Sequence, residues 1–357
     1  MITILATIFV LGVLIFVHET GHFLSAKLFR MRVDRFSLGY PPRMVGKKIG
    51  ETDYCISWIP FGGYVKIAGM VDESLDKKSL TKKPESWEFR SKPWIQRVIV
   101  VAAGSLMNIA LAFFIFTAAT LHHGIDEISP DSVVGEVMEG KPAQLAGIHP
   151  GDRIVRIDGQ SVDTWEAMAG IIHEIPGKSV RIEWFRNDSL FSADVTPQKE
   201  KVVGKGEIEE VGLIGIGPSF TTRRAGLFEA FIHGARTTYY LGELVVVSFW
   251  KLVTGEESIK SLAGPVFIAK MAGESARSGI ETLIAFLALL SLNIGILNLL
   301  PVPVLDGGHL VFLAIEGVIR REVPIKIKSI VQQVGMVLIL GLVVFVIYND
   351  ILRIFKK

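Results

Sequence analysis

The chain has 357 residues, half of them hydrophobic (50%), with a mean hydropathy of +0.43 and a formal net charge of only +2. Such a composition is too apolar for an ordinary soluble enzyme and offers no basic surface, so membrane spans are expected and nucleic acid is not a partner. The single cysteine, Cys55, excludes an intramolecular disulfide and a cysteine-based zinc site.

Residues 1–17 contain no charged side chain, and a helix over about 2–29 is long enough to cross a hydrocarbon core of ~30 Å. The segment lacks a basic start and a small-x-small cleavage site, so it is read as a retained span rather than a signal peptide. Lys27, Arg30, Arg32 and Arg35 mark its cytoplasmic end, which puts the N-terminus outside.

At the end of that span stands His18-Glu19-Thr20-Gly21-His22. Positions four apart share a helix face, so His18 and His22 can direct ring nitrogens at one Zn²⁺ while Glu19, one step round, can take a proton from water. In a soluble helix such a pattern also arises by chance from surface histidines. Inside a span a charged group costs about 2.5 kcal/mol or more, so ionisable residues there are normally paired, bound to metal or turned to a water-filled cavity.

Residues 30–97 hold 14 Lys/Arg against 8 Asp/Glu, as a cytoplasmic loop should. Within it, residues 54–59 alternate loosely, and Pro60-Phe61-Gly62-Gly63 followed by 64–67 reads as a turn and a second strand, a β-hairpin. Its glycine-rich edge is either part of a small cytoplasmic sheet or the place where an extended substrate adds as a strand. Residues 71–93 read as an exposed polar loop.

A second span covers about 98–121 and carries Ala102, Ala103, Gly104, Ser105 and Asn108, residues that let transmembrane helices pack closely. The next stretch is soluble in character. Residues 146–159, AGIHPGDRIVRIDG, match the bacterial PDZ signature, and flanking strands at 133–137 and 180–185 with a helix at 165–175 complete one domain over about 126–198. Such a domain receives a peptide or chain end at a sheet edge, or acts as a steric gate. Residues 199–279 are expected as linker and interfacial helices. The apolar stretch 225–253 is interrupted by Glu229, His233, Arg236 and Glu243 and is read as lying in the interface.

A third span runs from about 280 to 300 and ends in Asn298-Leu299-Leu300-Pro301-Val302-Pro303-Val304-Leu305-Asp306-Gly307-Gly308-His309. The two prolines break the helix at membrane depth, which is tolerated only inside protein or beside a cavity. Asp306 can supply a carboxylate oxygen there, giving two histidines, one aspartate and an open position, while His309 is a competing candidate. Arg320, Arg321, Lys326 and Lys328 return the chain to the basic side, and 331–352 forms a fourth span.

Taken together, H-E-x-x-H in a first span, F-G-G in the following loop, one PDZ signature and N-x-x-P-x-P-x-L-D-G after a later span resemble the site-2 protease family of intramembrane zinc metalloproteases, of the bacterial regulator-of-sigma-E protease type. The resemblance implies a polytopic α-helical membrane protein of four transmembrane helices, with a membrane-associated β-hairpin region and one inserted PDZ domain. The parts are an N-terminal membrane half over 1–121, the PDZ domain over 126–198, the linker over 199–279 and a C-terminal membrane half over 280–357.

It implies Zn²⁺ held by His18, His22 and Asp306, with Glu19 as catalytic base. Phe61, Gly62, Gly63 and Asn298 are implied as substrate-binding residues. The implied substrate is a pre-trimmed single-pass membrane protein, such as an anti-sigma factor or a remnant signal peptide, in a bacterial inner membrane. The PDZ domain would then lie outside and the active site toward the cytoplasm. Two departures stand out: one PDZ module instead of two, and Ala103-Gly104-Ser105 where many members read A-G-P, a change expected to touch only helix packing. A catalytically inactive membrane-anchored PDZ adaptor would have no use for Glu19. A zinc transporter would call for ionisable residues along the other spans, which 98–121 and 331–348 lack.

Overall fold

The computed structural model describes residues 1–70, 84–204, 207–259 and 262–355, leaving out the side chains of 60, 61, 201–204, 207–209 and 353–355. The expected loop therefore falls partly outside the described residues, at 71–83. The chain forms two compact units, Met1–Ala119 with Leu227–Lys357, and Thr120–Gly226.

Helix α1 spans Ile2–Leu28. With no charge in its first 17 residues it has no polar face to turn to water, and Ala6, Val10 and Leu14 bury against other helices. The chain then forms β1 (Val33–Ile49) and β2 (Thr52–Ile67). Residues 43–49 and 52–57 make a hairpin about Gly50, whose φ of +62° lies in the left-handed region that glycine enters without strain. Residues 35–38 are flanked on both sides, running antiparallel to 63–66 and in rising register with 53–56. The expected turn at 60–63 is thus a correction: 62–67 does not fold back on 54–59 but crosses over to form the opposite edge of the sheet. Helix α2 follows over Trp94–His123.

In the second unit the elements are β3 (Ile125–Ile128), β4 (Val134–Val137), α3 (Pro142–Leu145), β5 (Arg153–Ile157), β6 (Gln160–Ser161) and α4 (Trp165–His173). They continue with β7 (Val180–Arg186), β8 (Ser189–Val195), β9 (Gln198–Gly204), β10 (Glu207–Leu213), β11 (Ile216–Pro218) and β12 (Phe220–Arg223). A sheet of order β6-β5-β7-β8 packs with α4 around Ile148, Ile154, Ile157, Met168, Ile182 and Trp184, and along β7 the inward residues Val180, Ile182 and Trp184 alternate with outward ones. Thr164 caps α4 by accepting from the Ala167 N–H.

Asp152, 1% exposed, accepts from Arg186 and from the His149 backbone N–H. Burial alone would raise its pKa, but these donors more than offset it and hold the carboxyl below its ordinary range. The PDZ domain extends past the expected limit of 198, since β11 pairs with β4 and β12 with β3. The segments 198–204, 207–213, 216–218 and 220–223 are strands rather than linker, and 216–218 and 220–223 gain their partners only from the far end of the domain.

The remaining helices are α5 (Leu227–Thr254), α6 (Pro265–Ser278), α7 (Ile280–Leu299), α8 (Asp306–Ile319) and α9 (Ile325–Phe355). Gly234 and Gly242 let α5 approach Thr117 of α2 and Ile296 of α7. Asp350 of α9 accepts from the N–H groups of Gly264 and Phe267 and so caps α6. Among the described residues four helices are long and apolar enough to cross a membrane: Ile2–Leu28, Trp94–His123, Ile280–Leu299 and Ile325–Leu352. These are the four expected spans.

Candidate metal centre

One helical turn separates His18 from His22 on α1, which brings their Nε2 atoms to 3.2 Å. Between α7 and α8 the prolines at 301 and 303 carry the chain through an extended turn, with Val304 at φ +81°, a conformation strained for a β-branched residue. Gly307 and Gly308 let the start of α8 lie against the carbonyls of Leu300 and Val302, where any side chain would collide. Asp306 is thereby aimed at the histidines. Its Oδ2 lies 3.4 Å from His18 Nε2 and its Oδ1 3.5 Å from His22 Nε2. The three side chains form a partly buried cluster whose ligand atoms all fall within 4.8 Å of one another.

The spacing fits a metal ion. A tetrahedral zinc with bonds of about 2.0–2.1 Å separates its ligand atoms by about 3.3 Å; the two Nε2 atoms are 3.2 Å apart, each lies 3.4–3.5 Å from a different oxygen of the Asp306 carboxylate, and one ligand atom from each residue falls within 4.8 Å of the others. The nitrogen that should coordinate is also free to do so on His22. Its Nδ1 donates to the Val100 carbonyl at 2.8 Å, which places the proton on Nδ1 and leaves the Nε2 lone pair facing the cluster.

Helix α2 closes the site from behind. Gly21 meets the Ala103 carbonyl and Gly104 lies against the His22 ring, both so closely that a Cβ at either position would overlap the neighbour. Ser105 Oγ donates to Asp306 Oδ2 at 2.8 Å. Asn108, fully buried, turns Nδ2 toward His18 Nδ1 at 3.5 Å, and its Oδ1 has no hydrogen-bond partner among the described residues. Sequence reasoning treated Ser105 and Asn108 as packing residues only. The signal that could have separated them is their spacing of three, which puts both on one face of a span.

Glu19 is buried beside the histidines, and the sheet reaches it through Gly63. A Cβ on Gly63 would come within 3.2 Å of Glu19 Cγ and 2.8 Å of the Ser37 carbonyl. Gly62, at φ +145°, packs against the Tyr40 ring. Phe61 belongs to β2, with its side chain outside the described atoms. Asn298 sits half-buried in the last turn of α7, and none of the hydrogen bonds among the described residues ties its side chain to the cluster. His309 lies one turn beyond Asp306 with Nε2 3.0 Å from Gln332 of α9, so the carboxylate and not this imidazole completes the cluster.

Four helices apolar enough to cross a membrane, with a two-histidine, one-aspartate cluster beside a buried glutamate, define a candidate membrane metallohydrolase. The chain belongs to Peptidase family M50, whose model matches residues 6–342. It is 36% identical over 341 residues to a Clostridium perfringens protein named as a zinc metalloprotease, covering 95% of each chain. An Agrobacterium fabrum protein with the same kind of name is 38% identical over 364 residues, with 96% of this chain and 94% of that one covered. The zinc metalloprotease RasP of Geobacillus kaustophilus is 29% identical over 423 residues, covering 99% and 98%. Among solved structures, the PDZ domain of an SdrC-like protein from Listeria monocytogenes matches 26% of this chain and 93% of its own, at 25% identity and a TM-score of 0.20.

Proposed function

We propose that this chain is an intramembrane zinc metalloprotease that hydrolyses a peptide bond within or near the transmembrane segment of a single-pass protein. The observation that carries the reading is the convergence of His18, His22 and the Asp306 carboxylate, whose ligand atoms lie within 4.8 Å of one another, close enough for one zinc ion to take all three residues. The zinc metalloprotease names of the relatives agree with it. Zinc supplies a Lewis acid that polarises a peptide carbonyl and makes water a competent nucleophile near neutral pH.

The chain's own residues do the rest. The Glu19 carboxylate takes the proton of the attacking water and delivers it to the leaving amine nitrogen, a task suited to a buried carboxylate adjoining the ligands. His22 is held in one tautomer by Val100, and Ser105 holds Asp306 by its Oδ2. A half-turn of the Asn108 amide would place Oδ1 on His18 Nδ1–H, giving that buried oxygen its missing partner and leaving His18 Nε2 for the metal.

The 62–67 edge of the sheet, meeting Glu19 at Gly63, suits an extended substrate that adds as a strand, since a helical peptide bond must unwind before attack. Phe61 and Gly62 belong to that edge, and Asn298 is assigned to orient the substrate. By family resemblance the substrate is an already trimmed membrane protein of the anti-sigma-factor or remnant-signal-peptide type. By the same resemblance the membrane is a bacterial inner membrane, and loop charge favours the N-terminus and PDZ domain outside: residues 30–97 carry 14 Lys/Arg against 8 Asp/Glu, and 122–279 carry 16 against 22. The test is Glu19→Gln in the purified full chain with a model transmembrane substrate. Cleavage should fall by at least about 100-fold while zinc per chain is retained, and unimpaired cleavage would remove Glu19 from the mechanism.

A further inference from the structure

Where α2 begins and α8 ends, a concave surface of about 620 Å³ opens between the two helices. Trp94, Arg97 and Gly317 line it, and Arg320, Arg321 and Glu322 surround its mouth. The Trp94 indole donates to the Leu313 carbonyl at 2.5 Å and lies over Gly317, where a Cβ would stand 3.0 Å from the ring. Arg97 and Lys328 are both engaged by Glu316, at 3.1 and 2.6 Å, and that carboxylate is only 2% exposed. Arg320 and Arg321 are exposed and have no acidic partner among the described residues. Two free guanidinium groups against Glu322 leave the mouth positive.

The same two helices expose apolar side chains at helical spacing, Ile95 and Ile99 on α2 and Val311, Ile315 and Val318 on α8, and Val318 itself lines the concave surface. In a chain that spans a membrane these faces meet acyl chains, and the tryptophan with two arginines stands at headgroup level, where aromatic and basic residues collect. An apolar lane ending in paired cations is complementary to one kind of molecule, a lipid whose headgroup is anionic. Guanidinium groups suit a phosphodiester because their planar N–H fork can bind two of its oxygens.

We propose that this surface binds an anionic phospholipid, with Arg320 and Arg321 on its phosphodiester and Trp94 at the level of its glycerol. The inference is independent of proteolysis and needs no metal. It is tested by native mass spectrometry of the full chain released from detergent with phosphatidylglycerol or phosphatidylcholine. Wild-type protein should keep one phosphatidylglycerol at collision energies that strip phosphatidylcholine, and Arg320→Ala with Arg321→Ala should lower that bound fraction at least about fivefold. Removing two exposed cations elsewhere, by Arg153→Ala with Lys178→Ala, should leave it unchanged.

Equal retention of phosphatidylglycerol by wild type and the double arginine variant overturns the proposal. So does equal retention of the two lipids by wild type. Displacement of the lipid by inorganic phosphate at millimolar concentration would likewise assign the arginines to free phosphate and overturn it.

Discussion

Ser105 and Asp306, 201 positions apart, are joined by a 2.8 Å hydrogen bond from the serine hydroxyl to Oδ2. The serine orients the carboxylate that would complete the metal centre. Partners of this kind typically account for 10–100-fold in metal affinity. Ser105→Ala is therefore expected to weaken zinc binding by about that factor in a chelator competition. An unchanged affinity would mean that the α8 backbone alone holds Asp306.

Asn108 separates an orienting role from a packing one. Asn108→Asp keeps an acceptor for His18 Nδ1–H and should retain zinc, whereas Asn108→Leu, of similar volume, should weaken it by roughly an order of magnitude. Equal zinc affinity in the two variants would show that the buried amide serves only the helix packing, where its own backbone carbonyl already accepts from Ser291.

The glycines around the site should divide by function. A Cβ at Gly104 enters the His22 ring, so Gly104→Ala is expected to release zinc. A side chain at Gly63 enters the space of Ile15, the Ser37 carbonyl and Glu19 Cγ, leaving the ligands untouched. Gly63→Val should therefore retain zinc and lose at least about tenfold in cleavage, which one milled set of zinc and activity measurements can check. Loss of zinc in both variants would contradict this division.

In the PDZ domain the Asp152–Arg186 pair sets an acid limit. The folded carboxyl titrates below its ordinary range, so its contribution is complete above the unfolded value of about 3.9 and is lost as pH falls through the lower folded value. Hydrogen-exchange protection of residues 180–186 should fall below about pH 4 in the wild type. Arg186→Leu should reduce protection at neutral pH and flatten this acid dependence. An unaltered slope would place the acid sensitivity on other carboxylates.

Much of this architecture was legible because its signals are local. His18 and His22 lie within one helical turn, and Pro301 and Pro303 announce a broken helix just before Asp306. The four spans follow from uninterrupted apolar runs, and residues 146–159 mark the PDZ domain. What stayed hidden depends on distant segments. A serine and an asparagine in an apolar span look alike whether they face a lipid, a neighbouring helix or a carboxylate, and only the fold of α8 decides it. The sheet order was missed because 35–38 takes partners from both 53–56 and 63–66, which local alternation cannot express. Strands β11 and β12 were read as linker because their partners, β4 and β3, lie about 80 residues or more earlier. His309 was a candidate ligand until its pairing with Gln332 of α9 became visible.

The most direct test of the account is the zinc content of the purified full chain after dialysis against a weak chelator, compared between wild type and Asp306→Ala. The wild type should hold one zinc per chain and the variant close to none, because its two histidines alone leave a ligand set short of the three protein donors that catalytic zinc uses. Full zinc occupancy in Asp306→Ala would contradict the central claim that α1 and α8 together build the metal centre.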